Sequence, residues 1–260
     1  MKFLFTLITL CLGTNMVQAQ ILNFEKYRKP GDPEVQKAVV GELSLDFSLN
    51  NRSLNREGET DLYIGSNIAS DLGYFIKNHA FYVFGDLVYS AVGDQAITST
   101  GFLHLRTNLW RNRLLSYEIF SQGQFDEARG LNQRFLAGSG LRLKLTDTDR
   151  TKIAIGAGLM LEKEKWGSIS KTLIKSTNYI SLAQAINERM QVSAITYYQT
   201  GYDPAIEAFR NRISGELTIK AQVYASFSYT TSFFIFYDDR PIIPNTKTVF
   251  SLSNGFAWSF

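Results

Sequence analysis

The sequence predicts an all-β fold, a transmembrane antiparallel up-and-down β-barrel of about 12 strands. Three observations predict it: the pattern of the last strand, a secretory leader, and an alternation that recurs along the rest of the chain. The last stretch, Thr248 to Phe260, reads TVFSLSNGFAWSF, with large side chains at nearly every second position and small ones between. One apolar face toward lipid and one small or polar face toward a lumen are typical of a membrane barrel.

The C-terminus itself carries an aromatic pattern. Phe256, Trp258 and Phe260 share one face of the last strand and end the chain. This ending resembles the signal by which the bacterial assembly machinery recognises outer-membrane barrels, so we expect these residues to act as an assembly signal and the machinery to be a partner. We also expect the last strand to pair with the first, because open sheet edges do not occur in lipid.

The N-terminus predicts export. A basic Lys2 precedes an apolar run from Phe3 to Leu12, and Val17-Gln18-Ala19 forms a small-residue cleavage pattern. Residues 1–19 therefore read as a signal peptide, since a transmembrane helix needs roughly 20 apolar residues. The one cysteine, Cys11, lies in this leader, so a mature chain would have no disulfide, thiol nucleophile or thiolate ligand.

The alternation begins at Val39 and continues to the C-terminus. Residues 20–38 are polar and broken by Pro30 and Pro33, which predicts a periplasmic lead-in followed by an outer-membrane β-barrel over 39–260. The inward parity of successive strands carries many charged residues. From this parity we expect the lumen to be lined by Glu42, Asp46, Glu118, His104, Arg106, Arg134, Arg142, Lys144, Glu162, Arg210, Arg212 and Glu216.

Two stretches are harder to assign. In the third strand, residues 81–91, both parities are apolar, so alternation leaves open which face is inward. The segment Glu164 to Lys171 reads as a longer outer link between the seventh and eighth strands. Long links of this kind would alternate with short periplasmic turns, which predicts an even number of strands with both termini in the periplasm.

Composition fits the same class. The chain has 260 residues, 45% of them hydrophobic, with a formal net charge of +3 and a mean hydropathy of -0.10. This mean polarity excludes a helical membrane bundle, whereas lipid-facing and lumen-facing residues would balance in a barrel. A near-neutral charge without a basic block argues against a nucleic-acid partner. Aromatic residues, at 13%, are numerous enough to form interface girdles.

A resemblance points to the same fold. The block Leu131 to Thr151, with its core GSGLRLKLTDTDR, and the closing segments YTTSFFIFYDDRP and TKTVFSLSNGF resemble the YdiY-type family of salt-induced outer-membrane proteins, a domain family of unknown function. The resemblance implies a barrel in the bacterial outer membrane, in contact with its lipid and lipopolysaccharide. It implies no particular activity.

Few residues suit catalysis. A lipid-modifying barrel enzyme would need a set such as Ser-His-carboxylate, and the only histidines are His79, in a predicted turn, and His104, beside Arg106. We expect no enzyme, no metal site and no cofactor. Acidic residues in the predicted outer loops, Asp238-Asp239 and Asp126-Glu127, could hold Ca²⁺, but ordinary polar loop residues are the more common case.

The sequence therefore predicts a narrow passive channel or an envelope-stress permeability protein. Twelve strands spaced about 4.8 Å apart and tilted near 40° close to a backbone radius of about 12 Å, a lumen that long side chains of opposite sign would cross. A structural or adhesive barrel without transport stays open, and a lipid-modifying enzyme is the least favoured alternative. The sequence leaves the solute and the oligomeric state open.

Overall fold

Twelve antiparallel strands form one closed barrel in the computed structural model, which describes residues 37–53, 60–93, 95–243 and 247–259. Each strand pairs with its neighbours in sequence, and β1 pairs with β12. The predicted fold class and strand number are confirmed. The predicted signal peptide, most of the predicted lead-in and Phe260 lie outside the described residues. No helix in the described part of the chain is long and apolar enough to cross a membrane.

The strands are long and the links between most of them are short. Their bounds are β1 Lys37–Ser53, β2 Thr60–Ile76, β3 His79–Val92, β4 Gln95–Leu109, β5 Leu115–Asp126, β6 Leu131–Asp147, β7 Thr151–Trp166, β8 Ile169–Ala185, β9 Met190–Asp203, β10 Ala208–Tyr224, β11 Phe227–Asp238 and β12 Thr248–Ser259. A 3-10 helix, Glu127–Arg129, joins β5 to β6. We call the end where β1 begins and β12 ends the terminal end, and the opposite end the loop end.

Alternating burial follows the alternating sequence. In β10, the side chains of Arg212, Ser214 and Thr218 are buried, whereas Ile213 and Leu217 are exposed on the outer face. Successive strand residues point to opposite faces, so the polar parity of each strand fills the interior. The outer surface is apolar along most of the strand length.

Contacts across the interior show which face of β3 points inward. Tyr82 and Phe84 are 2% and 1% exposed and point inward, while Phe81 and Val83 lie on the outer face. The two inward rings belong to a buried cluster whose members come from β2, β3, β8, β9 and β11. The inward face of this strand is therefore aromatic, which alternation within the strand could not reveal.

The predicted link from Glu164 to Lys171 is wrong. Strand β7 continues to Trp166 and β8 begins at Ile169, so only a two-residue turn with Gly167 at φ 58° separates them. The polar residues of this stretch are strand residues. Glu164 is buried, because it continues the inward parity of β7 and accepts a hydrogen bond from Trp166 Nε1 at 3.2 Å.

The seam between β1 and β12 closes the barrel over a short distance. Among the described residues it has three paired positions at the terminal end, from Glu42 opposite Ser259 to Ser44 opposite Ala257, whereas β1 pairs with β2 along its whole length. Lys220 of β10 contacts the Glu42 carboxylate and donates to Ser259 Oγ at 2.8 Å, which holds the paired part together.

Candidate functional site: the barrel interior

Six charged side chains form a network in the loop-end half of the interior. We call it the loop-end network; it consists of Arg134, Glu162, Glu164, Lys175, Arg212 and Asp238. Arg212 is its hub: its guanidinium lies 3.0 Å from a Glu162 oxygen, 3.3 Å from a Glu164 oxygen and 3.0 Å from an Asp238 oxygen.

The rest of the network gathers around Glu162. Arg134 Nε donates to Glu162 Oε2 at 2.8 Å, and the Lys175 ammonium contacts the other carboxylate oxygen. The members come from β6, β7, β8, β10 and β11, so the network spans nearly half of the barrel wall. Buried charges are tolerated when paired in this way.

A second group, which we call the central cluster, joins opposite walls. It contains Arg106, Glu118, Arg142, Tyr179 and Tyr197, all buried. Tyr179 OH donates to Glu118 Oε2 at 2.7 Å, and Arg142 Nη1 donates to Tyr179 OH at 3.2 Å. Arg106 lies 3.4 Å from the same Glu118 oxygen and donates to Tyr197 OH at 3.3 Å. This last bond connects β4 with β9 and bridges the interior.

Glycines on the inner wall make room for two of these side chains. A Cβ atom on Gly156 would lie 2.1 Å from the Tyr179 ring, and one on Gly201 would lie 2.6 Å from Lys175 Cγ. Both distances are shorter than any contact that such atoms adopt. The long side chains of β8 therefore depend on bare backbone in β7 and β9.

His104 stands beside a small cavity. Its Nδ1 is 2.9 Å from Gln122 Oε1, while the Gln122 amide nitrogen donates to Gln124 Oε1 at 3.0 Å. Nδ1 is thus the donor, which leaves Nε2 as an acceptor in the neutral ring. Nε2 and Gln199 Oε1 have no partner among the described atoms, and both residues line a cavity of about 50 Å³. That volume suits roughly one or two water molecules.

Charged pairs also occupy both rims. At the terminal end, Asp147 accepts from Lys144 at 2.7 Å and from Lys152 at 2.6 Å. At the loop end, Asp203 binds Lys171 and Arg210, the latter at 2.6 Å. A recess of about 320 Å³ opens at the terminal end between the β8–β9 turn, β10 and β12.

The structure places most of the expected lumen residues inside the barrel. Glu118, His104, Arg106 and Arg142 lie in or beside the central cluster, and Arg134, Glu162 and Arg212 lie in the loop-end network. The others are nearer the walls and rims: Glu42 against Lys220, Lys144 against Asp147, Arg210 against Asp203, and Glu216, which accepts from Thr218 Oγ1 at 2.8 Å. The side chain of Asp46 lies outside the described residues. Phe256 and Trp258 are exposed on the outer face.

Sequence reasoning missed several partners of these residues. Glu164, Lys175, Tyr179 and Tyr197 all follow the inward parity of their strands, so that parity was the signal that could have found them. Asp238 was assigned to an outer loop, yet it ends β11 and binds Arg212.

The histidine and Asp126 of the interior have contacts of another kind than those of a metal site. Within residues 37–53, 60–93, 95–243 and 247–259, no group of three His, Cys, Asp or Glu residues could hold a metal ion. Asp126 accepts from the backbone N–H of Arg129 at 3.1 Å and caps the 3-10 helix. His104 stacks on Phe120, with ring centroids 6.2 Å apart, and bonds to Gln122 rather than to a hydroxyl or a carboxylate.

A comparison with protein families identifies the family of the chain. The profile described as "Protein of unknown function, DUF481" matches residues 57–258. The chain belongs to this family. The match confirms the resemblance to a family of unknown function and spans β2 to β12. Among curated proteins, none matches the DUF481 chain.

Three solved structures are similar in fold to this DUF481 member. The translocator domain of autotransporter NalP from Neisseria meningitidis has 9% identity and a TM-score of 0.45, covering 90% of this chain and 92% of that one. A bacterial polysaccharide outer membrane secretin has 6% identity and a TM-score of 0.42, covering 87% and 99%. The TodX monoaromatic hydrocarbon channel has 9% identity and a TM-score of 0.39, covering 86% and 81%.

Proposed function

We propose that the protein sits in the bacterial outer membrane, with its outer face against lipid and lipopolysaccharide. Its apolar outer surface is continuous and far larger than the patches that monomeric soluble proteins expose. Exposed aromatic residues form two girdles, one near each end. The terminal-end girdle contains Tyr74, Phe81, Phe227, Tyr229, Phe256 and Trp258, and the loop-end girdle contains Tyr89, Phe135, Tyr202, Phe209, Tyr237 and Phe250.

The girdles are spaced to fit a bilayer. In β3, Phe81 and Tyr89 lie eight positions apart, and Tyr229 and Tyr237 repeat the spacing in β11. Eight strand residues extend about 26 Å, or about 20 Å along the axis of a barrel tilted near 40°. That is close to the apolar band of roughly 25 Å that outer-membrane barrels present between their aromatic girdles.

For its role, we propose a narrow passive channel for ions and very small solutes. The observation that carries this proposal is the distribution of charge: paired acids and bases occupy the interior from the loop-end network to the rim pair of Glu42 and Lys220. Charged side chains line the pores of many ion channels. The signs nearly balance, so we expect little selectivity between cations and anions.

Conductance in planar bilayers tests the proposal. The unmodified protein should give steps well below those of a porin, and both Arg134→Ala and Arg142→Ala should raise them by removing long side chains from the interior. Lys163→Ala is the matched control, since Lys163 is exposed on the outer face of β7 next to the Arg134 position. Porin-sized steps, or passage of oligosaccharides into liposomes, would contradict a narrow interior.

A structural barrel without transport is the second candidate. The Arg106–Tyr197 bond and the aromatic cluster around Tyr82 favour it, because both fill the lumen between distant strands. Conductance separates the two roles. If neither the unmodified protein nor the Arg134→Ala and Arg142→Ala variants conducts, the structural role is the better account.

A further inference from the structure

The seam between β1 and β12 is unpaired over most of its length. Within the described parts of the two strands, pairing stops at Ser44 and Ala257. Yet the same register, continued without a shift, would set Leu45 opposite Phe256 and Ser53 opposite Thr248. The two strands thus end at matching positions, and nine more pairs could form by zipping toward the loop end.

The interior beside this seam differs from the rest of the lumen. Small inner residues lie in the first part of β11 and along β12: Ser228, Thr230, Ser232, Ser251, Ser253 and Gly255. Further along β11, Phe234 and Phe236 belong to the buried aromatic cluster. The opposite walls carry the arginines and tyrosines of the loop-end network and the central cluster. The smallest inner side chains beside the unpaired seam are therefore those around Ser232 and Ser253, next to the buried ring of Phe234.

One side chain in this region points to a hydrogen-bonding guest. Ser251 lies in the unpaired half of β12 and is 7% exposed, and its Oγ has no partner among the described atoms. A buried hydroxyl without a partner is costly. The backbone N–H and C=O groups of the parted edges have the same need, since lipid offers no hydrogen bonds.

We propose that the parted seam is a lateral portal through which a single-chain amphipath moves between the bilayer and the inside of the barrel. Its acyl chain fits the outer side of the seam, where Leu45, Leu252 and Phe256 are exposed. Its head group bonds the Ser251 hydroxyl and the free backbone edges. A plain hydrocarbon would leave those polar groups unsatisfied. The contacts of Lys220 with Glu42 and Ser259 act as the hinge at the closed end.

This route differs from the axial ion path proposed above, and it can be tested separately. With Cys11 replaced by Ser, the pair Ser48→Cys/Ser253→Cys places thiols at matching positions in the unpaired half. The control pair, Ser44→Cys/Ala257→Cys, sits at positions that are already opposite one another. Each pair is then cross-linked by oxidation, or by a bismaleimide if the first pair does not oxidise. The cross-link locks the portal in the test protein and not in the control.

The readout is entry of a guest. Proteoliposomes containing a fatty acid with a photoreactive diazirine are irradiated, and adducts on β11 and β12 are located by mass spectrometry. We expect adducts at inner positions such as Thr230 and Ser251 in the reduced test protein, and their loss to background after locking. The locked control pair should retain them.

Three results would overturn the portal. Adducts confined to the outer face would mean that no amphipath enters, and inner adducts that persist after locking would mean entry along the axis. A disulfide that joins two copies, in a mixture of the single variants Ser48→Cys and Ser253→Cys, would mean that a second chain pairs with the free edges. Conductance of the locked protein should be unchanged, so failure of the portal and failure of the ion channel are distinguishable.

Discussion

Replacing Glu162 by glutamine should destabilise the barrel strongly. The carboxylate is 2% exposed and contacts three cations, those of Arg134, Arg212 and Lys175. An amide oxygen of similar shape can accept hydrogen bonds but carries no charge. The two arginines keep Glu164 at 3.3 Å each, whereas Lys175 loses its only carboxylate within ion-pair distance among the described residues.

The expected size follows from the cost of leaving a buried charge unpaired. Removing one partner of a buried ion pair costs roughly 3–5 kcal/mol. Because Glu164 retains the two arginines, we expect the lower end, about 3 kcal/mol. Replacing Lys175 by methionine in the same chain should restore part of this loss, since the isolated cation is then absent.

The assay is equilibrium unfolding in lipid vesicles with urea or guanidinium, followed by tryptophan fluorescence and extrapolated linearly to zero denaturant. Glu188→Gln is the control: it makes the same chemical change in an exposed turn, where an effect within about 0.5 kcal/mol is expected. If Glu162→Gln also stays within about 0.5 kcal/mol of the unmodified protein, the loop-end network contributes little and the reasoning from burial is refuted.

Three further outcomes are expected. Gly156→Ala should lower the free energy of unfolding by about 1–3 kcal/mol in the same assay, because its methyl group would displace the Tyr179 ring from Glu118. Gly123→Ala is the control, since nothing lies within 4 Å of its Cβ position. Equal effects of the two substitutions would contradict the role of Gly156. Unboiled protein should migrate differently from boiled protein on a gel and show a strand-type circular dichroism spectrum; identical migration with a helical spectrum would rule out the barrel. Deleting Phe260 should cause degradation or stalling in the periplasm, and normal outer-membrane levels would disprove the assembly signal.

The sequence predicts the barrel well because its signal is local. Alternation within a strand decides which side chains face inward, as it does for Arg106 and Glu118. Alternation does not show which of these inward side chains contact one another. The bond between Arg106 and Tyr197 joins β4 to β9, and it depends on barrel radius, strand tilt and side-chain length together. Parity thus predicts the composition of the interior and not its contacts.

The open assignment in β3 and the error near the end of β7 have a common physical cause. In β3, apolar residues occupy both faces, because Tyr82 and Phe84 pack against aromatic side chains from distant strands. Near the end of β7, polar residues occupy both faces, because Lys163 and Lys165 are exposed outside while Glu164 is buried in the interior. A two-residue period is visible only where one face is apolar and the other polar. Where the two faces have similar polarity, the sequence does not show which face is inward or where the strand ends.

Contacts are distributed unevenly around the barrel wall, so one part of the wall resists strand motion more than another. Between β4 and β11, buried charges tie side chains of several strands together, so moving one strand would separate ion pairs at a cost of several kcal/mol. At the seam, three paired positions among the described residues and the contacts of Lys220 resist opening. Local opening takes place where the fewest interactions must be broken. Motion of the barrel is therefore expected to concentrate between β1 and β12, beside the small inner residues of β12, while the charged interior keeps its shape.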